Sequence, residues 1–179
     1  RGAWREGRAP KAGGGFGGGG LGWARTRLCG SVTGSGYRHA AVVGNQGATL
    51  AGISGGRLEL GIGAAWNADE SGAYGIDLPP LKERFDRFDE ALEVITRLLT
   101  DTTSTFEGRH YQLRDARCEP KPIQRPHPPI RIGGSGPNRT LRSVARWAQH
   151  WNHPGGSPEQ LSASIAVLHE RCAEIDRDP

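Results

Sequence analysis

From residue 57 onward, apolar positions recur with periods that assign secondary structure. Leu58, Leu60 and Ile62 alternate with Arg57, Glu59 and Gly61, the period of two that places successive side chains on opposite faces of a strand. Beyond Pro79-Pro80, the residues Leu81, Phe85, Phe88, Leu92, Ile95 and Leu98 step by threes and fours, with Lys82, Glu83, Arg84, Asp86 and Glu90 on the other face. That spacing predicts one amphipathic helix with Pro80 in its first turn. Two short β-prone runs around Glu107-Gly108 predict a hairpin between Thr102 and Leu113. Pro120, Pro122, Pro126, Pro128 and Pro129 then enforce an extended excursion. It delivers a second buried strand, Ile130-Arg131-Ile132, into Gly133-Gly134-Ser135-Gly136. A helix over about 137–148 is expected to turn Leu141, Val144, Ala145 and Ala148 inward, and Trp151 falls on another short strand. Ser157 with Gln160 forms a capping-box pattern, Pro158 takes the first helical position, and Leu161, Ile165, Leu168, Cys172 and Ile175 form a stripe expected to be buried.

Strand and helix alternate, which predicts a parallel α/β sheet. The first part of the chain is different in kind. Nine glycines fall between Gly7 and Gly22, and a stretch such as Ala12 to Leu21 offers too little apolar surface to offset chain entropy. Residues 1–24 are therefore expected to be a disordered or aberrant segment, and 25–179 the folded domain. Charge divides the same way. The net +4 and pI near 9.3 suggest a nucleic-acid partner, but residues 1–56 carry seven Lys/Arg against one acid and the remainder is mildly acidic. A nucleic-acid reading is thus confined to the basic Gly-rich start, and none is expected for the domain.

No apolar run approaches the ~18 residues that cross a bilayer, so a membrane-spanning role is excluded. Cys29, Cys118 and Cys172 are odd in number and far apart, which fits neither a disulfide framework nor a metal site and suggests a reducing, cytoplasmic compartment. The chain contains no Met and begins at Arg1, so it is expected to lack its initiator, and its close at Arg177-Asp178-Pro179 directly after a helix reads as a cut.

Gly133-Gly134-Ser135-Gly136 is the strongest chemical signal. A glycine turn between a strand and a helix lets the backbone approach an anion at the helix N-terminus; the alternative is a plain βα turn. Gly61-Ile62-Gly63 opens like a dinucleotide fingerprint, but Trp66 stands where the third glycine belongs. The loop Gly63-Ala64-Ala65 still permits a flat ring to lie against it. His150 and His153 have the spacing of a metal pair without further ligands nearby, so no metal is expected. Asp69 and Glu70, read on a loop, are a paired-acid candidate against a solvated alternative. Arg139, Arg142 and Arg146 read as a solvated helix face.

The stretch from Ile53 to Asn67, ISGGRLELGIGAAWN, followed by Glu70 and Ala73-Tyr74-Gly75-Ile76, resembles the luciferase-like monooxygenases, in particular members that use the deazaflavin coenzyme F-420. The resemblance continues in order through Phe106-Glu107-Gly108, Cys118 to Gln124, and Pro128 to Gly136. Upstream, Gly30 to Gly34 and Tyr37-Arg38-His39 are similar to the end of the family's third strand and the entry to its helix. The match covers about residues 25–179.

The resemblance implies an α/β fold, a partial (β/α)8 TIM barrel with its site at the C-terminal ends of the strands. A full barrel needs ~250 residues, so this chain corresponds to a middle portion truncated at both ends. It also implies that Ser31, Val32 and Thr33, in a loop that often carries a non-prolyl cis peptide, support an isoalloxazine-type ring. Gly63, Ala64 and Ala65 lie beside the ring, and Gly133, Gly134 and Ser135 bind the phosphate. The implied cofactor is coenzyme F-420, with FMN as the alternative, acting on a small organic substrate, and the resemblance allows a homodimer for intact relatives. No catalytic acid or base is assigned; His39 is weighed against a helix-entry role. Ala40, Ala51-Gly52, Ala65 and Gln149-His150 depart from the family pattern, and Ala65 narrows the loop if glycine is needed there for φ > 0. The competing expectation is a non-catalytic partial barrel with exposed strand edges.

Overall fold

Strand β3 (Leu58–Gly63) is the spine of the molecule, and parallel neighbours flank it on both sides. The computed structural model describes residues 26–179, so the expectations for residues 1–24 lie outside the described residues. On one side of β3 run β1 (Leu28–Cys29) and β2 (Thr33–Gly34). Leu28 pairs with Leu58 and Thr33 with Ile62, so the two pieces form one interrupted strand with a one-residue bulge between them. A short 3₁₀ turn (Ser35–Tyr37) and helix α1 (Ala40–Ile53) follow. After β3 come a short helix α2 (Ala68–Ala73) and the long α3 (Leu81–Thr100). An antiparallel hairpin of β4 (Ser104–Glu107) and β5 (Gln112–Ala116) precedes β6 (Ile130–Gly133), α4 (Thr140–Trp147), β7 (His150–Asn152) and α5 (Pro158–Ala173). The main sheet runs β1/β2, β3, β6, β7, all parallel. Four strand-helix units curl into half of a barrel.

The alternation along β3 sorts its side chains between two buried environments. Ile62, with Ile130 and Ile132 of β6, joins Val43, Phe88, Leu92, Ile95, Leu98 and Leu141 in the helix-facing core. The other face is the barrel lumen, where Glu59 is only 4% exposed. A Cβ on Gly61 would run into the Gly30 carbonyl oxygen, so the close approach of β1 to β3 requires glycine there.

Glu90 has more than the solvent-facing role its helix position suggests. Its carboxylate accepts backbone N–H bonds from Arg109, His110 and Tyr111 at 2.8–3.1 Å and ties the hairpin to α3. The proline-rich excursion is fastened by Lys121 Nζ donating to the Leu98 carbonyl and Gln124 Nε2 to that of Leu58. Helix α4 begins at Thr140, three residues later than the pattern suggested, because Pro137 to Arg139 form the turn that leads into it.

Two expectations of burial fail. Leu81 opens α3 but is 61% exposed at its end, beyond the reach of the core. Along α5 the capping box of Ser157 and Gln160 forms as expected, but of the expected stripe only Cys172 is buried, while Leu161, Ile165 and Ile175 are exposed. Helix α5 follows the last strand of the sheet, and among the described residues no further strand lies beneath its outer half.

Candidate functional site

The C-terminal ends of β2, β3, β6 and β7 open onto one cavity of about 890 Å³, at the end of the strands where β/α barrels build their sites. The structure brings Ser31, Val32, Thr33, Gly63, Ala64, Ala65, Gly133 and Gly134 together along its wall. Of the nine cofactor contacts the resemblance implied, Ser135 alone does not line it; it sits half-buried in the turn above β6. Tyr37, Trp66, Asn67, Glu70, Tyr74, Arg84, Phe85, Thr140 and Asn152 complete much of the lining.

The floor is shaped by the absence of side chains. A Cβ on Gly63 would lie 3.0 Å from Val32 Cγ2, and one on Gly133 3.1 Å from the same atom. Val32 thus packs closely over the ends of β3 and β6 and leaves a shallow ledge. The Ser31–Val32 peptide bond is cis, as the resemblance implied. Gly134 is tied into β7 through both backbone groups: its N–H donates to the Asn152 carbonyl at 3.1 Å and its carbonyl accepts from Trp151 Nε1 at 2.7 Å. Its N–H is therefore already committed. The start of α4 has neither a side-chain cap nor an acidic residue in its first turn, with the Leu141 N–H donating to the Gly136 carbonyl at 3.0 Å, and such a helix start favours an anion.

The opposite wall is held by specific polar contacts. Ala65 adopts φ +61°, the left-handed conformation, and its carbonyl accepts from Arg84 Nη1 at 2.8 Å. Asn67 caps α2 by accepting the Glu70 N–H at 3.1 Å, which places Asp69 and Glu70 in a helical first turn and not on the loop the sequence suggested. Glu70 Oε2 accepts the Tyr37 hydroxyl at 3.0 Å, and Ser71 Oγ lies 3.3 Å from the same hydroxyl.

Beneath the ledge lies a polar cluster that sequence reasoning missed. Arg131 is level with Gly61 and with His150, two residues down β6 from Gly133, and Glu59 is level with Cys29. Glu59 Oε2 accepts from Arg131 Nη2 at 2.7 Å and lies 3.1 Å from His150 Nδ1, while Arg27 Nη1 reaches Oε1 at 3.2 Å. Burial by itself would raise the Glu59 carboxyl. The hydrogen bonds from Arg131 and His150, the nearby His150 charge and Arg27 outweigh that and hold it below the usual carboxylate range. The available signal was a charged residue at the lumen-facing position of each of two strands, Glu59 and Arg131.

The remaining candidates disperse. His150 belongs to the Glu59 cluster, whereas His153 Nε2 lies 3.3 Å from Ser164 Oγ. Among the described residues no group of three or more His, Cys, Asp or Glu side chains is arranged to hold a metal ion. His39 caps α1 through Nδ1, accepting the Ala41 N–H at 3.2 Å, and packs edge-on against Tyr111. Arg139 is not the solvated residue expected: Nη2 bridges Asp86 at 3.0 Å and Asp89 at 2.7 Å, joining α3 to α4. It precedes the helix, so its side chain turns back onto α3. No helix among the described residues is long and apolar enough to cross a membrane.

A curled parallel β/α half-barrel with a glycine-floored cavity at its C-terminal rim defines a β/α-barrel protein whose cavity lies where such barrels build their sites. The chain belongs to the luciferase-like monooxygenase family, whose profile matches residues 25–179. It is 31% identical over 134 residues to the FMNH(2)-dependent dimethylsulfone monooxygenase of Pseudomonas putida, covering 74% of this chain and 36% of that protein. It is 34% identical over 123 residues to the F420-dependent glucose-6-phosphate dehydrogenase of Microbacterium testaceum, covering 69% and 35% respectively. The crystal structure of the monooxygenase RslO1 from Streptomyces bottropensis superposes with a TM-score of 0.80 at 26% identity, covering 96% of this chain and 52% of that one. The chain therefore spans about a third of the curated relatives and half of the solved structure.

Proposed function

We propose that this chain carries the cofactor-binding part of a flavin- or deazaflavin-dependent oxidoreductase acting on a small organic substrate. The observation that carries the reading is the convergence of Ser31 to Thr33, Gly63 to Ala65 and Gly133-Gly134 on one cavity. The residues fit such a cofactor: glycine at 63 and 133 lets Val32 settle over the ends of β3 and β6, and the Val32 side chain offers a flat ring a face to lie against. Ser135, Gly136 and the uncapped start of α4 suit its phosphate. Coenzyme F-420 is the first choice and FMN the second. When bound, the cofactor supplies hydride transfer or oxygen activation. The chain orients the ring on the Val32 ledge, holds the anion at α4 and keeps the Ala65 loop in place through Arg84.

Titrating the recombinant chain with F-420 and with reduced FMN tests this. Saturable micromolar binding of one of them is expected, and no binding of either overturns the reading. A second reading, a partial barrel without activity of its own, is favoured by the exposed Leu161 and Ile165 on α5 and Ile175 just beyond it; it predicts a broad melt and no cofactor-dependent stabilisation. A cytoplasmic location and homodimer formation of the intact protein remain part of the proposal, to be checked by fractionation and sedimentation.

A further inference from the structure

We infer that the mouth of the cavity takes an apolar, ring-bearing organic substrate, packed among Trp66, Tyr74 and Leu81; the inference rests on the cofactor reading above. Single exposed apolar side chains are ordinary, but several gathered at one place mark a binding surface. Trp66 is 83% exposed, Leu81 61% and Tyr74 52%, and all three line this cavity; among the described residues none of the other large exposed apolar side chains, such as Val42, Ile53 or Ile123, does so.

The gathering has a local cause. The three residues sit at successive element boundaries: Trp66 between left-handed Ala65 and the Asn67 cap, Tyr74 at the C-terminal cap of α2, and Leu81 at the first position of α3. Each boundary turns a large side chain toward the same opening. Two polar contacts of this wall are internal, since the Tyr37 hydroxyl and Glu70 bind each other and Arg84 Nη1 donates to the Ala65 carbonyl, while the buried Arg84 Nε has no partner among the described residues. Arg38, the other cation of the lining, is exposed to solvent. The wall thus offers ring faces and aliphatic surface, and aromatic faces favour ring-bearing ligands. A volume of about 890 Å³ lies toward the upper end of the roughly 300–1,000 Å³ range of small-molecule sites, room for a second molecule beside a cofactor on the ledge.

The test uses neutral 2-naphthol as probe, measured by equilibrium dialysis against the whole chain, with FMN and F-420 binding measured separately by fluorescence. Trp66→Ala is expected to weaken 2-naphthol binding about tenfold and Trp66→Phe by less than roughly threefold. Glucose 6-phosphate is expected not to compete. Absence of saturable 2-naphthol binding, an unchanged affinity in Trp66→Ala, or competition by glucose 6-phosphate overturns the inference. A cooperative melt at the Tm of the unaltered chain shows that both variants are folded. If neither FMN nor F-420 binds even the unaltered chain, the cofactor reading falls, while the 2-naphthol result still decides the character of the mouth.

Discussion

Glu59 and Arg131, on adjacent parallel strands, meet inside the barrel lumen at 2.7 Å, and Glu59 is only 4% exposed. Only the carboxylate of this pair is buried; the Arg131 side chain keeps 30% of its surface exposed, so water compensates part of its charge when the carboxylate is removed. Glu59→Gln is expected to lower stability by about 1 kcal/mol, read from urea unfolding. The same carboxyl sets an acid limit. Its folded pKa lies below the ordinary value because of Arg131, His150 and Arg27 acting against burial, so the folded state binds fewer protons there than the unfolded chain. The stabilisation is complete above the unfolded carboxylate range and is lost as pH falls through the folded pKa. A stability–pH profile below about pH 4.5 should therefore be steeper for the wild type than for Glu59→Gln; parallel profiles would contradict it.

Ala65 holds φ +61° without being glycine, which costs an L-residue about 1 kcal/mol or more. Ala65→Gly removes that strain and gives back part of it as unfolded-chain entropy. The expected net is a stabilisation of about 0.5 kcal/mol, or roughly 1–2 °C in Tm for a domain of this size. A lower melting temperature for Ala65→Gly would show that the conformation is not strained.

Gly133→Ala tests the ledge directly. Its new Cβ would stand 3.1 and 3.3 Å from the two methyls of Val32, and Val32 must shift into the space proposed for the ring. Cofactor affinity is expected to fall about tenfold, which corresponds to about 1.4 kcal/mol, with little change in Tm. Flavin fluorescence titration measures the first quantity and calorimetry the second.

Arg139 bridges Asp86 and Asp89 of α3 and stacks 5.5 Å from the Phe85 ring centroid. Its partners are partly exposed, so the network is weaker than a buried pair. Arg139→Ala is expected to cost about 1 kcal/mol, and the loss should shrink in high salt. A loss independent of salt would assign the effect to packing against Phe85.

Much of the fold was legible in periodicity. Leu58 to Ile62 alternate because a strand's side chains do, and the 81–98 stripe recurs because a helix turns every 3.6 residues. The glycine turn after Ile132 and the capping box at Ser157 are local chemistry and fall where the sequence puts them. The α5 stripe was misread because burial is a property of what lies alongside: Leu161 and Ile165 have helical spacing, but no further strand lies beneath them among the described residues. Arg139 was misread for a related reason, since its partners on α3 stand some fifty residues earlier in the chain.

The sequence by itself determined the alternation of strand and helix from Leu58 onward, apart from the short helix α2, together with the parallel α/β class and the small-residue loops at the strand ends, because each rests on interactions among residues a few positions apart. Only the tertiary structure decided that Val32, Gly63 and Gly133 share one ledge, that Glu59 meets Arg131 and His150 across three strands, and that Trp66, Tyr74 and Leu81 gather at one mouth. Those relationships depend on strand register and on the curl of the sheet, which set which distant residues stand level with one another and which point into the same space.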